Sequence, residues 1–401
     1  MTDGADGGFV PPPYPYDRLR DVVDLAAERH GAVIDLSVGT PCDPPPQVVV
    51  DALAGSGAER GYPPSIGTAA LRDAAAEWFQ RRLGVEVDPV HQLAACVGTK
   101  ELVAGLPHLL RLRDPGRDTV LYPAVSYPTY AMGAVLAGCR AVPVPVDDGW
   151  RLRLDAIDPT DASRALCLWV NTPGNPAGGL DDLDAAARWG REHGVLVCSD
   201  ECYVEFTWEG GPVGEVAAPG RTILTSGTDG VLAVHSLSKR SNLAGLRVGF
   251  YAGDEAIVRY CSEVRKHQGL MVPGPAQAAG AAALGDDAHV ARQRERYRAR
   301  LDRLAAAFER AGVQAPLPEG GFYLWVAAPR GDAWALTEAL AAIAGVVASP
   351  GEFYGEAAAG HVRFAVVRSD AEIELASERI EAGLAAALQQ QSPGSATVGG
   401  C

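Results

Sequence analysis

Between about residues 46 and 284 the chain alternates short, wholly apolar runs with stretches in which apolar residues recur at helical spacing. Residues 165–170, 195–198 and 231–234 are such runs, and each ends in residues that favour turns or carry charge. A strand covered by helices on both faces of its sheet reads this way, so the pattern predicts an α/β unit around a mostly parallel sheet. Residues 286–312, rich in Arg, Ala and Leu, predict one long amphipathic helix with Arg292, Arg296, Arg300 and Arg303 on a solvated face. It leads into a smaller α/β unit, where 361–367 alternates as a half-buried strand does and carries Arg363. The proline-rich stretch 11–16 predicts an extended arm, and the Gln-, Ser- and Gly-rich stretch 389–401 a disordered tail. The division that follows is 1–45 for the arm and part of the small unit, 46–285 for the large unit, 286–388 for the small unit and 389–401 for the tail.

Open parallel sheets bind ligands beyond the carboxyl ends of their strands, so the residues that close each run carry the chemistry. After the run at 231–234 comes His235-Ser236-Leu237-Ser238-Lys239, with Arg247 eight residues on. A lysine that is desolvated or lies near another cation is neutral part of the time and can add to an aldehyde. The planar fork of Arg247 suits a dianionic phosphate, and the Ser236 and Ser238 hydroxyls are further donors for it. The run at 165–170 leads into Asn171-Thr172-Pro173-Gly174-Asn175-Pro176, and the run at 195–198 delivers Asp200, with Tyr203 three residues later. Taken singly, each block has a plainer explanation: an exposed lysine loop, a turn, or an aspartate that caps the next helix.

In this order the three blocks, with Gly98-Thr99-Lys100 and Ser126-Tyr127-Pro128 upstream and Arg363 downstream, resemble the class I and II aminotransferases of the fold type I pyridoxal-phosphate superfamily. The likeness runs from about Leu36 to about Val367. It implies that fold: a large domain with a mostly parallel seven-stranded sheet and a smaller α/β domain. It also implies pyridoxal 5′-phosphate as cofactor, with Lys239 as the lysine that binds it. By the same resemblance, Asp200 pairs with the pyridine nitrogen, and Tyr203 and Asn175 hydrogen-bond the cofactor's phenolate oxygen. Gly98, Thr99 and Lys100 form the phosphate turn, joined by Ser236, Ser238 and Arg247, and Tyr127 stacks on the ring. Arg363 grips the substrate α-carboxylate, with Asn175 and the backbone at Gly39 also facing substrate. Tyr62, in Gly61-Tyr62-Pro63, matches a tyrosine that reaches the phosphate of the other subunit, which implies a homodimer with shared sites.

The partners so implied are an amino acid and a 2-oxo acid. The stretches Asp200-Glu201-Cys202-Tyr203, Arg265-Lys266-His267 and Gly321-Phe322-Tyr323-Leu324-Trp325 are similar to those of actinobacterial N-succinyldiaminopimelate aminotransferases, which use glutamate as donor in lysine and diaminopimelate biosynthesis. The second arginine of aspartate aminotransferases has no counterpart near His267 and Gln268. Two features depart from the family: Ala177 precedes Gly178 where threonine is usual, and Arg240 and Gly174 are unusual neighbours of the key residues. An aminotransferase for another amino acid, a β-lyase or decarboxylase on the same fold, and a ligand-sensing module without catalysis stay open as alternatives. No G-x-G-x-x-G follows the first strand, which disfavours a dinucleotide-binding dehydrogenase.

Composition narrows the classes further. A net charge of −15 argues against nucleic acid or anionic membrane as partner. No apolar stretch reaches the roughly 18 residues of a membrane span, and the start of the chain, with Asp3 and Asp6, lacks the pattern of a signal peptide. Eight cysteines without metal spacing or a disulfide framework suit a reducing cytoplasm and no structural metal.

Overall fold

The computed structural model describes residues 9–57, 60–208 and 220–390. Its strands are β1 (Ile34–Asp35), β2 (Leu93–Cys96), β3 (Thr119–Pro123), β4 (Arg140–Val144), β5 (Ala165–Asn171), β6 (Leu196–Asp200), β7 (Val231–Ser236), β8 (Gly249–Gly253), β9 (Tyr323–Ala327), β10 (Val346–Val347), β11 (Ser349–Pro350) and β12 (His361–Ala365). Seven of them form one sheet in the order β2-β8-β7-β6-β5-β3-β4. Every residue of β5, β6 and β7 is buried, as continuous apolar runs require. Their side chains divide between two cores by the two-residue period of a strand. Leu168, Val170, Val197 and Ala233 pack on one face, and Cys167, Trp169, Cys198 and Leu232 on the other.

The pairings β3–β4, β3–β5, β5–β6 and β6–β7 are parallel, whereas β8 runs antiparallel to both its neighbours. That reversal matters for chemistry. The residues leading into β8 lie at the same edge as the carboxyl ends of β5, β6 and β7, so Arg247 arrives beside Asn171, Asp200 and Ser236.

A second sheet, β11-β12-β9, is antiparallel, and β1 from the start of the chain pairs with β10. A separate apolar core lies here, built from Phe308, Leu324, Val326, Phe364, Ile380 and their neighbours. The long helix is Ala288–Arg310, packed on Asp370–Gln390. No helix among the described residues is long and apolar enough to cross a membrane.

Three expectations need correction. Arg300 is not on a solvated face: it is 3% exposed, its guanidinium chelates Asp43 at 2.7 and 2.9 Å, and its Nε donates to Asp370 at 2.6 Å. A helical stripe of arginines reads alike whether water or a distant carboxylate meets it, and Asp43 lies far away in sequence. The last helix continues through Gln390, into the stretch expected to be disordered from 389; the rest of that stretch lies outside the described residues, as do Asp3 and Asp6. The proline-rich arm is extended only as far as Tyr14, after which Pro15–Leu19 forms a 3₁₀ turn that aims Tyr16 inward.

Removing one partner of a buried ion pair leaves the other charged and unpaired, at a cost of about 3 to 5 kcal/mol, whereas exposed pairs contribute about 1 kcal/mol or less. Arg300→Ala is therefore expected to lower stability by about 3 kcal/mol. Arg303→Ala removes a side chain that is itself 23% exposed, against 3% for Arg300, and should cost no more than about 1 kcal/mol. Urea unfolding of the two variants checks this, and equal losses would contradict the assignment of Arg300.

Candidate active site

Lys239 sits on a single helical turn, Leu237–Arg240, that begins where β7 ends. The Ser236 hydroxyl caps the turn by accepting from the Ser238 amide at 3.2 Å. The lysine Nζ donates to the Gly39 carbonyl and lies 5.8 Å from the centre of the Phe322 ring. Burial, reinforced by the Arg363 and Arg247 charges, pulls its pKa down to about 8. The chain has only two other lysines, Lys100 and Lys266, and Lys266 is exposed beside Glu263.

Asp200 ends β6 directly opposite Asn171 of β5. No helix follows it, which excludes the helix-cap explanation. Its carboxylate accepts from the Tyr130 hydroxyl at 2.8 Å and from the Cys202 amide at 3.2 Å. Burial raises its pKa above the usual carboxylate value, the behaviour of a carboxyl group that lacks a cationic partner. Tyr130 was not foreseen, although it lies three residues after Tyr127; it stacks on Trp169 with ring centres 5.2 Å apart. Asn171 fixes the neighbouring turn, accepting from the Asn175 amide at 2.7 Å and donating to the Asp200 carbonyl at 2.9 Å.

At the phosphate end, Gly98 has φ +72° and precedes the helix Thr99–Arg113. A Cβ on Gly98 would lie 2.2 Å from an Arg247 nitrogen, so only glycine lets that guanidinium approach the helix N-terminus. Arg247 itself holds φ +56°, a conformation that costs a non-glycine residue free energy and that recurs at functional sites. Thr99, Ser236, Ser238 and Arg247 line one cavity there. The backbone of Lys100 lies in the first turn of the helix Thr99–Arg113, as the phosphate turn requires. Its side chain leaves the turn and lies over the Tyr14 ring at 5.1 Å and the Tyr127 ring at 6.0 Å. Tyr62 is 97% exposed and does not line this cavity.

Arg363 on β12 is 2% exposed, so the surface-facing alternative for this strand position is excluded. Its guanidinium donates to Asn175 Oδ1 at 2.7 Å, to Tyr16 at 3.3 Å and to the Ser37 carbonyl, and it lies 4.2 Å over the Tyr323 ring and 4.8 Å over the Tyr354 ring. Among the described residues no carboxylate lies within 4 Å of it, and its buried Nε has no hydrogen-bond partner. Tyr14, Tyr16 and Tyr323 escaped the sequence reading as site residues because aromatic residues in an arm or an apolar strand look like packing.

These groups surround a cavity of about 340 Å³ that is lined by Lys239, Asp200, Tyr203, Asn175, Arg247 and Arg363, with Asp200 as its only carboxylate among the described residues. A phosphate, a basic ring nitrogen and a phenolate oxygen each have a complementary group there: the Gly98–Arg247 cradle, buried Asp200, and Tyr203 with Asn175. The donor set therefore fits pyridoxal phosphate, and the orphaned Arg363 Nε adds a seat for a substrate carboxylate. A larger hollow of about 520 Å³ at the opposite edge of the sheet lacks such chemistry, since Arg117 and Arg191 there are bonded to backbone carbonyls.

The profile of the family Aminotransferase class I and II matches residues 32–380. The 4-dedimethylamino-4-oxo-anhydrotetracycline transaminase OxyQ of Streptomyces rimosus is 43% identical over 92% of this chain and 99% of its own length. An LL-diaminopimelate aminotransferase of Desulforudis audaxviator is 33% identical over 92% of this chain and 95% of its own. Among solved structures, a probable N-succinyldiaminopimelate aminotransferase from Thermus thermophilus superposes with a TM-score of 0.81 at 30% identity, covering 92% of this chain and 99% of that one. The chain belongs to the class I and II aminotransferases and is a pyridoxal-phosphate-dependent aminotransferase.

Proposed function

We propose that the protein moves an amino group in ping-pong fashion from glutamate to an oxo acid of the N-succinyl-2-amino-6-oxopimelate type. The observation that carries this reading is a pair of cations without a carboxylate partner among the described residues, Arg363 inside the cavity and Lys100 on its lining. A substrate with an α-carboxylate and a second acidic group satisfies both. The similarity to the diaminopimelate-related aminotransferases supports the same class. A second reading, an aminotransferase for a bulkier ketone, is favoured by the tyrosines Tyr14, Tyr16 and Tyr127 on the lining and by the likeness to the tetracycline-pathway transaminase.

In this proposal Lys239 binds the cofactor and then, with its pKa held near 8, carries the proton of the substrate α-carbon at Nζ. Asp200 keeps the ring nitrogen protonated, and the Tyr130 hydroxyl holds that carboxylate in place. Tyr203 and Asn175 donate to the ring oxygen, while Thr99, Ser236, Ser238, Arg247 and the amides after Gly98 hold the phosphate. Pyridoxal phosphate, when bound, supplies the carbonyl that takes the amino group and a ring that accepts the electrons left on the α-carbon. Tyr127 packs on the face of the ring. Arg363, fixed by Asn175 and two tyrosine rings, orients the α-carboxylate, and Gly39 lets the covering backbone come close. A Cβ on Gly39 would lie 2.3 Å from the Tyr323 hydroxyl oxygen.

The proposed functional unit is a homodimer, which the exposure of Tyr62 and Arg247 supports, since a partner subunit would cover them. The proposed large unit, 46–285, contains the seven-stranded sheet. The small unit, 286–388, contains the long helix and β9 to β12, and the arm joins it through β1.

Only the neutral amine adds to an aldehyde, and the Lys239 pKa is lowered. Capture of pyridoxal phosphate by the apoprotein should therefore accelerate as pH rises and level off just above about 8. A rate still climbing steeply near pH 10, as an ordinary lysine would give, contradicts the site.

The substrate proposal is read from the visible spectrum of the loaded protein. Glutamate should bleach its cofactor band, and the succinylated oxopimelate should restore it. Lys100→Met should raise KM for that oxo acid at least about tenfold, the loss of about 1.4 kcal/mol, with kcat nearly unchanged. Restoration by a polycyclic ketone alone would select the second reading.

A further inference from the structure

Tyr203, proposed above to donate to the cofactor's ring oxygen, belongs to the loop after β6, on the large sheet. Its hydroxyl lies 2.8 Å from the hydroxyl of Tyr323, which opens β9 on the small sheet. Both phenols are buried and stay protonated, since burial pushes Tyr203 well above its ordinary pKa and Tyr323 up to about 12. If Tyr203 commits its proton to the cofactor, the proton between the two tyrosines has to come from Tyr323.

Tyr323 also touches Arg363. The strand register sets Arg363 opposite Trp325 and Ala365 opposite Tyr323, which makes Arg363 and Tyr323 diagonal neighbours across the pair. The Arg363 guanidinium lies 4.2 Å over the Tyr323 ring. One side chain thus offers a ring face to the group that holds the substrate and a hydroxyl to the group that holds the cofactor.

We propose that Tyr323 is a positioning residue that donates its hydroxyl proton to Tyr203, strengthening Tyr203 as a donor to the cofactor oxygen, while its ring holds Arg363. This rests on the placement of Tyr203 proposed above. A stronger donor at the ring oxygen favours proton release from the nitrogen that joins cofactor to lysine. Weakening that donor raises the pH at which the release occurs.

The test is the pH midpoint of the visible spectrum of the loaded protein, measured for wild type, Tyr323→Phe, Tyr203→Phe and the double variant, with thermal melts to verify folding. Tyr323→Phe keeps the ring over Arg363, so KM for the amino donor should hold. The midpoint should rise by about half to one unit, the size of one net hydrogen bond. In the Tyr203→Phe background the same change should move nothing, because its route is gone. An unchanged midpoint in folded Tyr323→Phe overturns the proposal, and so do shifts that add in the double variant. A wild type without a visible band after loading overturns the cofactor placement itself, a failure separable from either of these.

Discussion

The structure is organised around positive charge that the chain itself does not neutralise. Elsewhere, buried arginines are matched: Arg240 by Glu205 and Asp287, Arg265 by Glu101, and Arg300 by Asp43 and Asp370. At the carboxyl edge of the large sheet the rule lapses. Buried Arg363 shares a cavity with Lys239 and the more exposed Arg247, and among the described residues Asp200 is the one carboxylate on its lining, in a chain whose net charge is −15. Burying unmatched charge is expensive, so a fold keeps such an arrangement where anionic ligands complete it. A cofactor phosphate and a substrate carboxylate are suitable anions.

The fold holds those cations in place by means other than salt bridges. The reversed direction of β8 carries Arg247 to the working edge, and Gly98 leaves it room beside a helix N-terminus. Arg363 is gripped by a side-chain amide, a carbonyl, a phenol and two aromatic faces, none of which cancels its charge. The segment after β1 runs between the two sheets, offering the Ser37 carbonyl to Arg363 and the Gly39 carbonyl to Lys239. Arg300 clamps the same segment at Asp43, so a residue remote from the cavity contributes to its shape.

Much of this was legible in the sequence. Continuous apolar runs gave an α/β unit around a mostly parallel sheet, the family resemblance gave its seven strands, and the polar residues closing the runs pointed to Lys239, Asp200, Asn175 and Arg247, because strand ends are where a parallel sheet presents its chemistry. Arg363 was legible from its alternating strand, though not its burial. The supporting tyrosines were not. Tyr130, Tyr16 and Tyr323 stood inside stretches already noted, but a tyrosine that packs and a tyrosine that donates have the same local pattern. The partners of Arg300 and the turn of Lys100 towards Tyr14 were hidden for a related reason, since both depend on residues far off in the chain. Local patterning specifies elements and their ends; long-range pairing decides what a charged side chain meets there.

The most direct test is chemical. The protein loaded with pyridoxal phosphate is reduced with borohydride, digested, and its lysines are mapped by mass spectrometry. With only three lysines to distinguish, the account predicts a single pyridoxyl adduct, on Lys239. An adduct confined to Lys100 or Lys266, with Lys239 unmodified, would contradict it.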